Sequence, residues 1–384
     1  MTQITLRAVP ALIDVDRRAW DSVANPSGVE YDPFLSWDFL QALEESNCVG
    51  DDTGWSPRHL IAENEDGALL GALPLYAKAH SFGEYVFDHA WADAYERAGG
   101  RYYPKLLTAI PFTPATGRRL LSPDPDIRRA LAQAAINLTG QWGASGWHVN
   151  FPDVTDAETL TGLDLLPRID RQFVWENRGY SSYDDFLADL SSRKRKTLKK
   201  ERTSACEGVE IVALSGDDLA PQHWDVFFEC YQDTGARKWG APYLTREFFD
   251  LIHQRMADKV LLVMAKLDGR YIAAALNFIG SHALYGRYWG ALIDKPGLHF
   301  ELCYHRAIDF AIEHGLSRVE AGAQGEHKLS RGYRPKIVRS AHYIADPGLR
   351  HALEGYLKQE GEAVLADIKA QQAELPFKGG EPIV

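Results

Sequence analysis

Residues 260–276 read VLLVMAKLDGRYIAAAL, and residues 59–75 read HLIAENEDGALLGALPL. Each stretch consists of an apolar run, an Asp-Gly pair and a second apolar run. This pattern is the sequence signal for two antiparallel strands joined by a tight turn. The repeated hairpin therefore predicts that the chain contains two copies of one structural unit.

The elements around the two hairpins also recur in the same order. Residues 33–40 (PFLSWDFL) resemble residues 242–249 (PYLTREFF), and in each the Ser or Thr is a natural helix N-cap. Downstream of each hairpin, helical periodicity near 126–141 and 299–314 is followed by a strand pattern. Two unrelated α/β domains with chance matches are the alternative, but three matched elements in one order argue against it.

The composition is that of a globular chain without a general attraction to polyanions. With 384 residues it exceeds the usual size of a single core, and its net charge is -11. The four cysteines form no C-x-x-C pair and no metal-ligand spacing with histidine, so we predict a reducing compartment and no metal site. The chain start lacks a secretory pattern, and no apolar run reaches the length of about 18 residues that a membrane span needs. We therefore expect a cytoplasmic protein.

Four further segments carry a family resemblance: PFTPATGRRLL at 111–121, CYQDTG at 230–235, LHFELCY at 298–304 and AGAQGEHKLSRGYRP at 321–335. Together they resemble the bacterial FemAB-like group, often described as GNAT-family N-acyltransferases or peptidoglycan-biosynthesis-like proteins. The resemblance covers nearly the whole chain, and the last segment is the most specific.

The resemblance implies an α/β fold with mixed sheets, arranged as two tandem GNAT-like (acyl-CoA N-acyltransferase) domains. We place the first domain at 1–170 and the second at 171–345, with a basic helix at 182–205. A C-terminal helix and tail follow at 346–384. The order of helix, hairpin, strand, helix and strand agrees with this fold by analogy.

The resemblance also implies an N-acyltransferase that moves an acyl or aminoacyl group to an amine without a covalent enzyme intermediate. The related Fem transferases take an amino acid from aminoacyl-tRNA and place it on an amine of a peptidoglycan precursor. Charged tRNA is therefore the first expected donor, a small-molecule or peptide amine the expected acceptor, and acyl-CoA the second donor. A Gly-rich pyrophosphate loop is missing at 295–301 and at 117–123, which disfavours CoA. No permanently bound cofactor is expected.

The candidate catalytic residues follow the strand predicted at 317–322, at the edge where α/β sheets usually collect ligands. Lys328 is similar in position to a lysine of the Fem transferases and could stabilise an oxyanion or the leaving oxygen. His327 and Glu326 are candidates for taking the proton from the attacking amine. Arg331 and Arg334 are candidate clamps for phosphate or carboxylate, although Arg334 could also brace the loop. Solvated or structural roles are the alternatives for all five.

A second candidate site is the run RKRKTLKKER at 193–202, which is basic within an acidic chain. On a helix Arg195, Lys199 and Arg202 share one face, which suits contact with a phosphate chain. The Fem relatives carry a similar run, and Arg195 matches the arginine that meets the acceptor's diphosphate there. A solvated helix face is the structural alternative. A non-catalytic ligand-binding protein and an RNA-binding protein that uses this run are the alternative functions.

Overall fold

The computed structural model describes residues 4–238, 242–322 and 325–378. The chain divides into two compact units. Unit 1 comprises Met1–Asp170 and Val338–Val364, and unit 2 comprises Arg171–Ile337 and Leu365–Val384.

The helices and strands alternate along both units. Up to residue 165 the strands are β1 (Thr5–Val9), β2 (Trp55–Pro57), β3 (His59–Glu63), β4 (Leu69–Leu73), β5 (Tyr76–Lys78), β6 (Lys105–Thr108) and β7 (Gly146–Asn150). The helices there are α1 (Arg17–Ala24), α2 (Trp37–Glu45), α3 (His89–Arg97), α4 (Pro125–Gln141) and α5 (Val154–Thr161).

The remaining elements begin with a long strand. The strands are β8 (Leu166–Glu176), β9 (Val209–Leu214), β10 (Val260–Leu267), β11 (Arg270–Ile279), β12 (Ala283–Ala291), β13 (Arg318–Glu320) and β14 (Arg334–Ile344). The helices are α6 (Tyr183–Asp189), α7 (Ser192–Cys206), α8 (Pro221–Lys238), α9 (Arg246–Met256), α10 (Leu298–Phe300), α11 (Arg306–Glu313) and α12 (Pro347–Ala373). A π-helical segment, Glu301–His305, joins α10 to α11, and Glu326–Arg331 forms a short 3-10 helix.

The same strand pattern occurs in each unit. In unit 2 the strand order is β8-β13-β12-β11-β10-β9, and the β12–β13 pair is parallel. In unit 1 the order β2-β5-β6-β7-β14 likewise contains one parallel pair, β6–β7, beside a separate sheet β1-β3-β4. A helical segment connects the strands of each parallel pair, α4 in unit 1 and residues 298–313 in unit 2. The repeated order predicted from the two hairpins is therefore present.

Local sequence signals explain how these elements begin and turn. Asp268 and Gly269 have φ values of 51° and 74°, the two positive values of the turn favoured between antiparallel strands, and they join β10 to β11. Ser36 and Thr245 cap α2 and α9 through their side-chain oxygens, as predicted. The counterpart turn at Asp66-Gly67 is wider, because Asn64 accepts hydrogen bonds from the backbone of Asp66 and Ala68.

The basic helix predicted over 182–205 is interrupted. It consists of α6 and α7, and the backbone of Leu190 between them is extended. Leu190 is fully buried and bridges to Phe377, while the Ser191 N–H donates to the Pro376 carbonyl at 2.9 Å. At Ser191, pairing with the C-terminal segment therefore takes the place of a hydrogen bond within a helix.

The compact units also divide the C-terminal residues differently from the predicted 171–345 and 346–384. Residues 340–344 of β14 pair with β7 in unit 1, and Ser340 lies opposite Asn150. The first part of α12 packs Leu353 and Leu357 on a unit 1 cluster that contains Trp91 and Tyr102. The rest of α12, from Leu365, belongs to unit 2.

Each unit has an apolar core between its sheet and its helices. The core of unit 2 includes Trp175, Phe186, Leu198, Leu302 and Tyr333, all less than 3% exposed. These residues come from β8, α6, α7, the π-helical segment and the loop before β14, so the core ties the basic helix to the site described below. Within the described residues, no helix combines the length and apolarity needed to cross a membrane.

Helix α8 packs closely on β12 at Gly290. A Cβ atom at Gly290 would lie 2.0 Å from the backbone carbonyl oxygen of Cys230. We expect Gly290→Ala to lower the free energy of unfolding by about 1–3 kcal/mol, because helix and strand must move apart. Urea unfolding checks this, with Gly140→Ala as the control, since a Cβ atom at Gly140 meets nothing within 4 Å. Equal stability of the two variants would contradict the close packing.

Candidate functional site

The site in unit 2 arises where two parallel strands separate. β12 and β13 pair only over Ala283–Tyr285 and Arg318–Glu320. Beyond this point Arg287 forms a bulge, because Gly286 lies opposite Asn277 and Tyr288 lies opposite Leu276. A cavity of about 110 Å³ lies there, lined by Ala275, Leu276, Asn277, Gly286, Arg287, Tyr288, Trp289, His299, Cys303, Tyr304 and Ala321.

A second cavity of about 240 Å³ adjoins the first and shares Trp289 and His299 with it. It is lined by the end of β12 and by residues 293–300, which lead into the helical segment. We call the smaller one, next to the parallel strand pair, the inner cavity and the larger one the adjoining space.

The π-helical segment determines which side chains reach the inner cavity. A π turn is wider than an α turn and is frequent at functional sites. Here Cys303 and Tyr304 line the cavity, whereas Glu301 and His305 are fully buried. Glu301 pairs with Arg202 and Arg306, and these ion pairs hold the segment from the opposite side.

Lys328 lies beside this cavity, at the carboxyl end of β13. Its side chain is 3% exposed, and its Nζ donates to the carbonyl oxygens of Ala321 at 2.5 Å and Gly322 at 3.1 Å. Ala321 itself lines the inner cavity. Burial lowers the pKa of Lys328 from 10.5 to about 8, partly offset by nearby Cys303. The sequence thus predicted a lysine that the structure holds in a buried and defined position.

His327 lies at the rim and is exposed. Its Nε2 is 3.0 Å from the Tyr304 hydroxyl oxygen, which connects it to a wall of the cavity. Partial desolvation lowers the pKa of His327, and the cations of Arg331 and Lys328 lower it further, so the ring is neutral at pH 7. The backbone of Glu326 starts the 3-10 helix, but its side chain lies outside the described part of the structure.

Arg331 and Arg334 have protein partners. The Arg331 guanidinium makes a bidentate ion pair with Glu201 at 2.9 and 2.6 Å and donates to the His327 carbonyl at 2.7 Å. It also stacks 3.5 Å from the ring centroid of Phe300. Arg334 lies over the ring of Phe377 and 3.9 Å from a Glu176 carboxylate oxygen. Both arginines therefore brace the loop that carries Lys328.

Glu201 connects the basic helix to this loop. Besides Arg331, it is 2.8 Å from Nε2 of His305, whose Nδ1 is 2.6 Å from the Tyr183 hydroxyl oxygen. Burial alone would raise the pKa of Glu201, but the hydrogen bonds from His305 and Arg331 outweigh it and lower the pKa. Glu201 is therefore ionised at neutral pH and anchors both partners.

The basic face predicted on α7 separates into two parts. Arg202 is occupied, because its guanidinium pairs with Glu301 at 2.9 Å and Asp309 at 2.6 Å and lies over the Tyr183 ring. Burial opposes its charge, yet the two carboxylates raise the pKa of Arg202. Arg202 therefore pairs with carboxylates of the protein, whereas the sequence predicted that it contacts a phosphate chain. Lys199 is exposed and pairs only with the exposed Asp184, and Arg195 has no ion-pair partner among the described residues.

Sequence reasoning did not single out Asn277, Glu201, Tyr304 and His305. Tyr304 belongs to the segment 298–304 that carried the resemblance, but helical periodicity does not anticipate a π turn and so did not mark its orientation. Asn277 is a polar residue within an apolar strand, and that was a usable signal.

The arrangement suits proton transfer and stabilisation of negative charge. In the described residues, no group of three or more His, Cys, Asp or Glu side chains could hold a metal ion. Tyr304 lines the cavity, and the Lys328 ammonium and the His327 imidazole are each hydrogen-bonded to a residue of its wall, Ala321 and Tyr304. These groups can stabilise an oxyanion and accept a proton from an attacking amine.

Glu201→Gln tests the anchoring of this loop. We expect a loss of about 2–3 kcal/mol in the free energy of unfolding at pH 7, because a buried guanidinium loses its carboxylate. The pKa of Glu201 is lowered in the folded state, so its contribution is present above the ordinary value of 4.5 and is lost as pH falls through the folded value. The variant should therefore lose less stability on acidification than the wild type. Urea unfolding at pH 7 and in acid checks both effects.

Asp184→Asn is the matched control, because it removes the exposed Lys199 pair by the same chemical change. Its effect should stay below about 0.5 kcal/mol. Similar losses in the two variants would show that Glu201 is not an anchor.

Comparison with solved structures supports the fold. A crystal structure of FemX matches with a TM-score of 0.55 at 14% identity, covering 88% of this chain and 98% of that one. The C-terminal domain of a putative lysylphosphatidylglycerol synthetase from Agrobacterium fabrum matches with a TM-score of 0.54 at 10% identity, covering 97% and 100%. The structure of L-PGS from Bacillus licheniformis matches with a TM-score of 0.51 at 11% identity, covering 87% and 99%. The predicted fold, tandem GNAT-like domains with mixed α/β sheets, is confirmed.

Comparison with known sequences gives the family. No curated protein matches the sequence significantly. The family model for FemAB-like proteins, described as peptidoglycan biosynthesis/recognition, matches residues 11–379. The match includes both units and the loop that carries Lys328, and the chain therefore belongs to the FemAB-like family.

Proposed function

We propose that this protein is an N-acyltransferase that transfers an aminoacyl group, or in second place a simple acyl group, directly to an amine. The observation that carries the proposal is the buried Lys328 ammonium beside the inner cavity. Membership of the FemAB-like family supports the same class of reaction.

Direct transfer needs a group that stabilises the tetrahedral oxyanion. Two N–H groups of Lys328 donate to Ala321 and Gly322, and these bonds orient the third N–H. In the proposed step the amine nitrogen bonds to the donor carbonyl carbon, and the ester C–O bond then breaks with its electron pair on the leaving oxygen. Lys328 stabilises the developing negative charge.

The attacking amine must also lose a proton. Tyr304 lines the cavity, and its hydroxyl lies within hydrogen-bond distance of His327 Nε2. In the proposed relay, Tyr304 accepts the amine proton as it passes its own proton to the neutral His327. Glu326 stays a candidate for the same task.

The expected partners follow from the charge of α7 and the size of the cavities. Aminoacyl-tRNA is the proposed donor, with its phosphates near Arg195 and Lys199, and a small-molecule or peptide amine is the proposed acceptor. Acyl-CoA takes second place, because neither unit has the Gly-rich pyrophosphate loop.

Lys328→Met tests the central group. We expect transfer from alanyl-tRNA to a panel of amines to fall about 100-fold or more, because an oxyanion donor is lost. In the wild type, kcat/KM should decline above pH 8, where the Lys328 ammonium loses its proton. Lys336→Met, which removes an exposed lysine paired with Glu176, should keep full activity.

The pH dependence of the free energy of unfolding tests the charge of Lys328 separately from the packing of its side chain. Its pKa is lowered in the folded state, so the unfolded chain binds more protons between about pH 8 and 10.5. Wild-type stability should rise with pH in that window relative to Lys328→Met. If transfer survives in Lys328→Met, or if no donor is consumed by the wild type, the catalytic proposal fails and a binding function gains support.

The donor proposal is tested by comparing Arg195 and Lys199 of α7 with the ion-paired Arg202 on the same helix. Arg195→Ala and Lys199→Ala should each raise KM for charged tRNA and reduce the salt dependence of its binding by about one phosphate contact. Arg202→Ala should mainly lower the melting temperature, because Glu301 and Asp309 lose their partner. Unchanged tRNA binding in the first two variants would argue against α7 as a tRNA contact.

A further inference from the structure

Asn277 occupies an unusual position for a polar side chain. It lies on β11, is 1% exposed and lines the inner cavity. Its Nδ2 donates to the carbonyl oxygens of Leu261 at 3.3 Å and Ala275 at 3.5 Å. Only the amino end of an amide can donate to carbonyls, so these long hydrogen bonds agree with an orientation that has Nδ2 on the side of Leu261.

The Asn277 amide oxygen is consequently directed at Gly286, opposite it on β12. A Cβ atom at Gly286 would be 3.5 Å from Oδ1. No donor from residues 4–238, 242–322 or 325–378 is within hydrogen-bond distance of Oδ1. Oδ1 is open to the cavity, so a ligand that supplies an N–H group there can make the hydrogen bond that no described residue makes.

The inner cavity suits the transferred group rather than its carrier. At about 110 Å³ it has room for several waters or one small acyl group, whereas the adjoining space of about 240 Å³ is larger. The Lys328 ammonium is hydrogen-bonded to Ala321, which lines the inner cavity. The carbonyl of a transferred group that binds next to Ala321 is therefore close to the ammonium.

We propose that Asn277 is a specificity-determining residue that selects a transferred group with an amino group next to its carbonyl. Its Oδ1 accepts a hydrogen bond from that ammonium. The proposal deepens the proposed function and rests on it. A plain acyl group of equal size has only C–H groups to offer and leaves Oδ1 unpaired, and sites with such an acceptor reject analogues that lack the donor.

The test measures binding of two stable donor analogues by calorimetry. Both are 3′-amino-3′-deoxyadenosine amides, one carrying alanine and the other propionate, so they differ only in the amino group. The wild type should bind the alanyl analogue at least about tenfold more tightly, as expected for a hydrogen bond to a charged donor.

Two variants remove the acceptor in different ways. Gly286→Ala places a methyl group 3.5 Å from Oδ1 and 3.4 Å from the Glu320 carbonyl oxygen, which are ordinary contacts, and so covers Oδ1 without disturbing the Nδ2 bonds. Asn277→Leu removes the amide but also the bonds to β10 and within β11. In both variants the preference should fall to about twofold or less, chiefly through weaker binding of the alanyl analogue. Gly140→Ala in unit 1 should keep the wild-type preference.

The outcomes separate this inference from the transferase proposal. Equal binding of the two analogues by the wild type overturns the role of Asn277 even if alanyl transfer is measured. A preference that survives in folded Gly286→Ala overturns it as well. A preference that depends on Oδ1, together with no transfer from alanyl-tRNA to any amine, overturns the transferase proposal and leaves the recognition of the amino group standing.

Discussion

The site of unit 2 depends on one constraint, the brief pairing of two parallel strands. β12 and β13 share three residue pairs and then separate, and the bulge at Arg287 turns β12 away. A backbone carbonyl left unpaired in such a gap is costly to bury, and the Gly322 carbonyl already accepts from the Phe173 N–H at 3.1 Å. Lys328 provides donors to two carbonyls just beyond β13, at Ala321 and Gly322, so the group proposed for chemistry also stabilises the opening in which it lies.

In unit 1 an arginine instead of a lysine donates to a carbonyl at the end of the corresponding strand, β7. The guanidinium of Arg119 is fully buried and donates to the carbonyl oxygens of Asn150, at the end of β7, and of Ala115. Each unit therefore places a cation on carbonyls at the end of the corresponding strand. Both cations donate to backbone carbonyls, and one carbonyl that accepts from Lys328, that of Ala321, belongs to a residue that lines a cavity. This neighbourhood is the reason why we propose the chemistry for unit 2.

Charged side chains around the site form a support that keeps its geometry defined. Glu201 holds Arg331 and His305, Arg331 holds the His327 carbonyl, and Glu301 holds Arg202 and Arg306. These bonds link α7, the π-helical segment and the loop that carries Lys328. In the basic run on α7, Arg202 thus stabilises the fold. Arg195 and Lys199 are the residues that can contact a phosphate chain.

The sequence by itself determined the repeated architecture and the position of the central lysine. Hairpin turns, N-caps and strand patterns are local signals, and they predicted β10–β11, α2, α9 and the order of elements in both units. Only the tertiary structure decided the break at Leu190, the partners of Arg202 and Arg331, and the exposure of Asn277 Oδ1 to a cavity. Those features depend on residues distant in sequence, such as Phe377, Glu301, Glu201 and Gly286, and on a π turn that shifts side chains away from their helical positions. Burial and long-range ion pairing, which no local pattern encodes, therefore separated the residues that support the fold from those that line the cavity.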